Sequence, residues 1–180
     1  VLGYGSWATA IVKTLTVTHQ HVNWLVLNDD ILQSLEERSL NVKYLPWCYI
    51  DREFIRPSKD INEVVRDVDI VILAMPSAFL TKFLEPLTES LANKIVVSAV
   101  KGIIPGDYLT IVEHMNRYYD VPMKNLAVVT GPSHAEEVGQ CRLSYLTVAS
   151  EDSNTAERVR NILANDFFRC SLSHDVLGVE

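Results

Sequence analysis

The chain has 180 residues, 48% of them hydrophobic and 22% charged, which suits one soluble domain with a sizeable buried core and argues against disorder. Its net charge is -7 and its 16 Lys and Arg are scattered, so no basic surface for nucleic acid is expected. Three cysteines (Cys48, Cys141, Cys170), with no C-x-x-C pair, give neither a disulfide framework nor a metal site and point to a cytoplasmic home.

Val1 and Leu2 read as the stump of a strand that opens straight into Gly-Tyr-Gly-Ser-Trp-Ala. The first residue is not Met, so the expectation is a trimmed N-terminus; no signal peptide is visible. The turn fits G-x-G-x-x-G with Ala in the last place. Gly3 permits a tight exit from the strand, Gly5 removes a Cβ so that a pyrophosphate can approach the backbone, and Ala8 lets the helix pack closely. A helix over Trp7 to Thr18 then points its positive end at the phosphates.

Next comes a strand at Val22 to Leu27, ending in Asn28-Asp29-Asp30. Asp29 stands 21 residues beyond Ala8, close to the offset at which a carboxylate bonds the adenosine ribose. Capping of the next helix, Asp30 to Val42, by Asp29 or Asp30 is the competing reading, and the two are compatible. No Arg occupies 28 to 30 to meet a 2′-phosphate, which favours NAD over NADP. The stretch from Lys43 to Lys59, with Pro46 and Pro57, reads as an ordered loop or small excursion.

Beyond it, short apolar runs alternate with helical periodicity. Strands are expected at Asp69 to Ala74, Lys94 to Ala99, Leu126 to Thr130 and Ser144 to Ala149. Helices are expected at Ile61 to Arg66, near Ala78 to Leu91, and at Gly106 to Arg117, His134 to Val138 and Ser153 to Leu163. Runs this short and uniformly apolar belong to a sheet covered on both faces, and none approaches the roughly 20 residues of a membrane span. The expected fold is α/β, a doubly wound, Rossmann-like, mostly parallel sheet with helices on both faces and all 180 residues in one dinucleotide-binding domain.

In such a sheet ligands gather at the carboxyl ends of the strands. Met75-Pro76-Ser77 follows one strand, with Ser77 either bordering a cofactor or capping a helix. Val100-Lys101-Gly102-Ile103 follows the next, with Lys101 either a phosphate or carbonyl ligand or a plain surface lysine. Gly131-Pro132-Ser133-His134-Ala135-Glu136-Glu137 follows the third. Ser133 and Glu136 have the spacing of a capping box, and the helix start beside the cleft also suits an anion. His134, alone, is not assigned a role.

Together, Gly-Tyr-Gly-Ser-Trp-Ala-Thr-Ala at 3 to 10, Tyr-Leu-Pro at 44 to 46, Met-Pro-Ser at 75 to 77, Val-Lys-Gly-Ile at 100 to 103 and Gly-Pro-Ser-His-Ala-Glu-Glu-Val at 131 to 138 resemble bacterial-type NAD(P)-dependent glycerol-3-phosphate dehydrogenases, in order and in spacing. The resemblance implies hydride transfer between NAD(P)H and dihydroxyacetone phosphate or sn-glycerol 3-phosphate, for phospholipid synthesis. It implies cofactor contacts at Ser6, Trp7, Asn28, Lys101 and Ala135, beside Gly3, Gly5, Ala8 and Asp29 read above. Substrate contacts are implied at Lys101, Gly131 and Ser133. Asn28 stands where some members carry a basic residue. The family pattern continues into a helical domain whose catalytic Lys would lie beyond Glu180, so no catalytic residue is expected in this chain, and a homodimer of the whole enzyme is left open. Two other readings stay in view: another dehydrogenase or reductase of the 6-phosphogluconate type, and a dinucleotide-sensing domain without chemistry.

Overall fold

In the computed structural model, which describes residues 1–180, the apolar runs become strands β1 (Val22–Leu25), β3 (Ile70–Leu73), β4 (Ile95–Ser98), β5 (Leu126–Thr130) and β6 (Ser144–Ala149). Neighbouring residues on a strand enter opposite cores. Ile72, Val97 and Val129 pack on one face with α1 (Ser6–Val17) and α7 (Ser153–Leu163), while Val71, Val96 and Val128 pack on the other with α3 (Ile61–Arg66) and α5 (Ile111–Tyr119). A strand buried on both faces has no polar side to alternate, which is why these runs are continuous.

Strands β3, β4 and β5 are parallel, β6 is antiparallel to β5, and β7 (Phe168–Ser173) is parallel to β6. On the other side, β1 pairs in parallel with β2 (Ile55–Ser58). Leu2 joins the two sets by pairing with both Leu25 and Leu73. Its amide donates to the Ile72 carbonyl and its carbonyl accepts from the Ala74 amide, both at 2.8 Å. The spatial order is therefore β2, β1, the Leu2 strand, β3, β4, β5, β6, β7, and the chain reverses its direction of travel across the sheet at Leu2. That reversal opens a crevice beyond the carboxyl ends.

Several expectations need correction. The stretch from Lys43 to Lys59 holds a loop to Asp51, then a 3₁₀ turn and β2. Pro57 is tolerated because β2 is an edge strand paired only with β1. β7 also went unexpected. The helix expected near Ala78 to Leu91 is a 3₁₀ turn and then α4 (Leu80–Leu84), stopped ahead of Pro86. The helix expected from Gly106 starts instead at Ile111, where Thr110 and Glu113 form a capping box. α2 (Asp29–Arg38) ends early at Ser39, which takes a left-handed conformation so that Leu40 can pair with Tyr49. The C-terminal end of the chain forms a short helix, α8 (Val176–Val179).

Candidate functional site

The Gly-rich turn sits at the sheet's switch point, between the ends of β1 and β3. Gly3 has φ +115°, and a Cβ there would overlap the Ala74 carbonyl oxygen. Its own carbonyl accepts a 2.7 Å bond from the Nε1 of Trp24, a fully buried residue of β1. Gly5 differs. It is the N-cap of α1, its φ is an ordinary -73°, and a Cβ on it would meet nothing within 4 Å. No protein atom requires Gly5 to be glycine; the space it leaves faces outward.

Ser6 and Trp7 form the first turn of α1, and neither a capping side chain nor an acidic residue meets that turn. The first amides of a helix lack intrahelical partners, so this 12-residue helix presents free N–H groups and its positive end to the crevice. Ala8 is fully buried in the core, as close helix packing requires.

Asn41, absent from the sequence expectations, holds the turn from behind. Its Nδ2 donates to the Tyr4 carbonyl at 2.9 Å and to Thr9 Oγ1 at 2.8 Å. Its Oδ1 accepts from the amides of Lys43 and Tyr44. The side chain is fully buried and all its hydrogen-bonding capacity is used, so the loop after α2 is riveted to the Gly-rich turn. Nothing local in the sequence marks a bond that spans 37 residues.

At the end of β1, Asn28 and not Asp29 or Asp30 caps α2, accepting from the Ile31 amide at 3.2 Å. Asp29 and Asp30 occupy the first turn of α2 and form ion pairs with Lys59 (2.7 Å) and Lys43 (2.6 Å). Both pairs are exposed, so they orient more than they stabilise. Beside them lies a cavity of about 650 Å³ walled by Tyr4, Leu27, Phe79 and Phe83, with Lys59 and Lys82 on its rim. Tyr4 and Phe83 rings lie 6.1 Å apart, which ties this apolar wall to the Gly-rich turn.

Across the sheet, Ser77 starts a 3₁₀ turn but does not cap it; Pro76 is the N-cap, without a side-chain bond. Ser77 Oγ lies 3.5 Å from where a Gly102 Cβ would be, so the ends of β3 and β4 meet here. Gly102 has φ +89° and follows Lys101, an exposed residue that pairs with no carboxylate. Register places Ser98 beside Val128, so the Lys101 and Gly131 turns emerge as neighbours.

The turn after β5 is committed to its own chain. A Gly131 Cβ would lie 2.6 Å from the Tyr145 carbonyl oxygen, and Ser133 Oγ donates to that same oxygen at 3.1 Å. The capping box expected from Ser133 and Glu136 therefore does not form; His134 is the N-cap of α6 (Ala135–Gly139) and makes no side-chain cap. Ala135 opens α6, a helix of five residues with Glu136 and Glu137 in its first turn. Two carboxylates there offset what little helix dipole so short a helix has, against the expectation of an anion site at this N-terminus.

A glycine-bearing turn at the switch point, a free helix N-terminus and an adjoining apolar cavity define a dinucleotide-binding domain. The sequence profile of the family described as NAD-dependent glycerol-3-phosphate dehydrogenase N-terminus matches residues 1–156, and the chain belongs to that family. It is 31% identical over 182 residues to the glycerol-3-phosphate dehydrogenase (NAD(P)+) of Halalkalibacterium halodurans and 33% over 184 residues to that of Bacillus subtilis, covering 100% of this chain and 52% of each relative. The crystal structure of glycerol-3-phosphate dehydrogenase from Coxiella burnetii superposes with a TM-score of 0.86 at 26% identity, over 99% of this chain and 54% of that one. The chain thus spans about half the length of the relatives it matches. No helix is long and apolar enough to cross a membrane.

Proposed function

We propose that this chain is the cofactor-binding half of an NAD(P)-dependent glycerol-3-phosphate dehydrogenase of the cytoplasm, acting between dihydroxyacetone phosphate and sn-glycerol 3-phosphate and supplying glycerophospholipid synthesis. The observation that carries the proposal is Gly5: a helix N-cap whose missing side chain opens onto free space beside an apolar cavity. Three free cysteines accord with a reducing compartment. A homodimer of the whole enzyme belongs to the same reading.

When bound, the nicotinamide ring supplies or accepts a hydride at the carbinol carbon, with a proton moving on the adjacent oxygen. This chain's residues hold and orient. The first amides of α1 take the pyrophosphate, Tyr4, Leu27 and Phe79 wall the adenosine, and the Asp29 carboxylate reaches the ribose hydroxyls. Lys101, at the crest of β4, places an ammonium where a substrate phosphate or carbonyl oxygen would lie. Gly131 and Ser133 shape the neighbouring wall. The proton donor is assigned to a lysine outside these residues, so residues 1–180 alone bind cofactor and turn over little or no substrate.

Calorimetric titration with NADH and NADPH, in parallel with Gly5→Val, tests the binding. Saturable binding lost in a folded Gly5→Val variant supports the proposal; equal binding by both proteins ends it. Turnover by residues 1–180 above a Lys101→Ala control would refute the assignment of the proton donor.

A further inference from the structure

Two cations face one apolar cavity. Lys59 follows β2, whose last residue, Ser58, is in register with Leu25 of β1. That register carries Lys59 to the end of β1, where its ammonium lies 2.7 Å from the Asp29 carboxylate. Lys82, on α4, lines the same cavity and pairs with no carboxylate. Two acids stand near: Asp60 lines the same cavity and keeps its charge while capping α3 through the Asn62 amide at 2.8 Å, and Asp29 is paired with Lys59.

An unpaired carboxylate at the end of β1 would accept from ribose hydroxyls and repel a 2′-phosphate. Here a lysine from the adjacent strand cancels that repulsion. A phosphate monoester carries about -1.5 to -2 charges and three acceptor oxygens, so it competes well with a carboxylate for an ammonium. The Asp29 side chain is 81% exposed and can swing into water when displaced. Asn28 is neutral and occupied as the cap of α2, so the cation comes from Lys59, 31 positions further along the chain.

We propose that Lys59, assisted by Lys82, is the specificity-determining residue that lets this domain accept the 2′-phosphate of NADPH as well as the free ribose of NADH. This rests on the cofactor reading above and replaces the leaning to NAD drawn from positions 28 to 30 alone.

The test is the pair of dissociation constants for NADPH and NADH, measured on the full-length protein for wild type, Lys59→Met, Lys82→Met and Asp29→Asn, at low and moderate salt. Lys59→Met is expected to weaken NADPH about tenfold and to leave NADH within about twofold. Asp29→Asn is expected to weaken NADH and spare NADPH. The salt dependence of NADPH binding should flatten in Lys59→Met. Lys59→Met leaving NADPH affinity unchanged, or weakening both dinucleotides alike, overturns the proposal while the cofactor reading stands. Wild type binding neither dinucleotide overturns both.

Discussion

After Leu2 and again after Thr130 the chain leaves a strand through a glycine pressed against a neighbour's backbone: Gly3 against the Ala74 carbonyl, Gly131 against the Tyr145 carbonyl. Beyond that point the two turns part. After Gly3 comes Gly5, whose absent side chain faces open space, then a helix of 12 residues with no acid at its start. After Gly131 comes Ser133, whose hydroxyl turns inward to the same Tyr145 carbonyl, then a helix of five residues with two acids in its first turn. The first turn offers a ligand its backbone; the second mainly holds itself in place. A glycine required by packing does not mark a binding site, whereas one that nothing in the protein requires is a better pointer.

The sharpest way to break this contrast is at the first turn. Gly3→Ala should cost about 3 kcal/mol or more, since it forces both a backbone overlap and a left-handed φ on a residue with a side chain. Gly5→Ala should stay within about 1 kcal/mol of wild type, as for other N-cap changes. Urea denaturation of both variants checks this, and comparable losses would erase the distinction. Asn41→Leu should cost about 2–3 kcal/mol by leaving the part-buried Tyr4 carbonyl and the Lys43 and Tyr44 amides without their partner, and should weaken both dinucleotides together. Ser133→Ala should cost about 1 kcal/mol. An unchanged urea midpoint with a raised KM of the full-length protein for the proposed phosphate substrate would instead assign that hydroxyl to the ligand.

The smallest effect is expected away from both turns. His114 is buried on α5, with Asp107 3.6 Å from its Nδ1, and burial holds its pKa below the ordinary 6.5. The unfolded chain then binds the proton more readily. Stability from this residue is full above about pH 6.5 and is lost as pH falls toward the folded value. Glu180 works in the opposite sense: burial raises its carboxyl above 4.5, so its contribution is present at low pH and declines as pH rises through the folded value. Urea midpoints at pH 7.5 and 5.5 should converge in His114→Phe relative to wild type.

Where all or all but one of an element's side chains are buried, composition alone revealed it: β3, β4 and β5 are examples. Edge strands were harder. β2 carries Pro57 and β7 reads Phe-Arg-Cys-Ser-Leu-Ser, mostly polar because little covers its outer face. The Gly-rich turn was legible because its pattern is local in the chain: Gly3 answers to the strand beside it, and Gly5, two residues on, leaves the start of the helix open. Asn41 and Lys59 were not, because each acts through a partner about 30 residues or more away, Thr9 and Asp29, brought close only by the sheet. The Ser133 capping pattern misled for the same reason: a carbonyl 12 residues further on offered the hydroxyl a better partner.

Trp24, bonded through its indole to the Gly3 carbonyl, has an optical consequence. The protein's three tryptophans sit in three different environments: Trp24 fully buried at the root of the turn, Trp7 half-buried in the first turn of α1, and Trp47 47% exposed on the loop that Asn41 anchors. Short-wavelength emission from Trp24 therefore follows the integrity of the turn, and Trp7 follows whatever settles against it. Trp47 reports the loop from the solvent side. Loosening of the turn and arrival of a ligand become separable by colour in a single unlabelled sample.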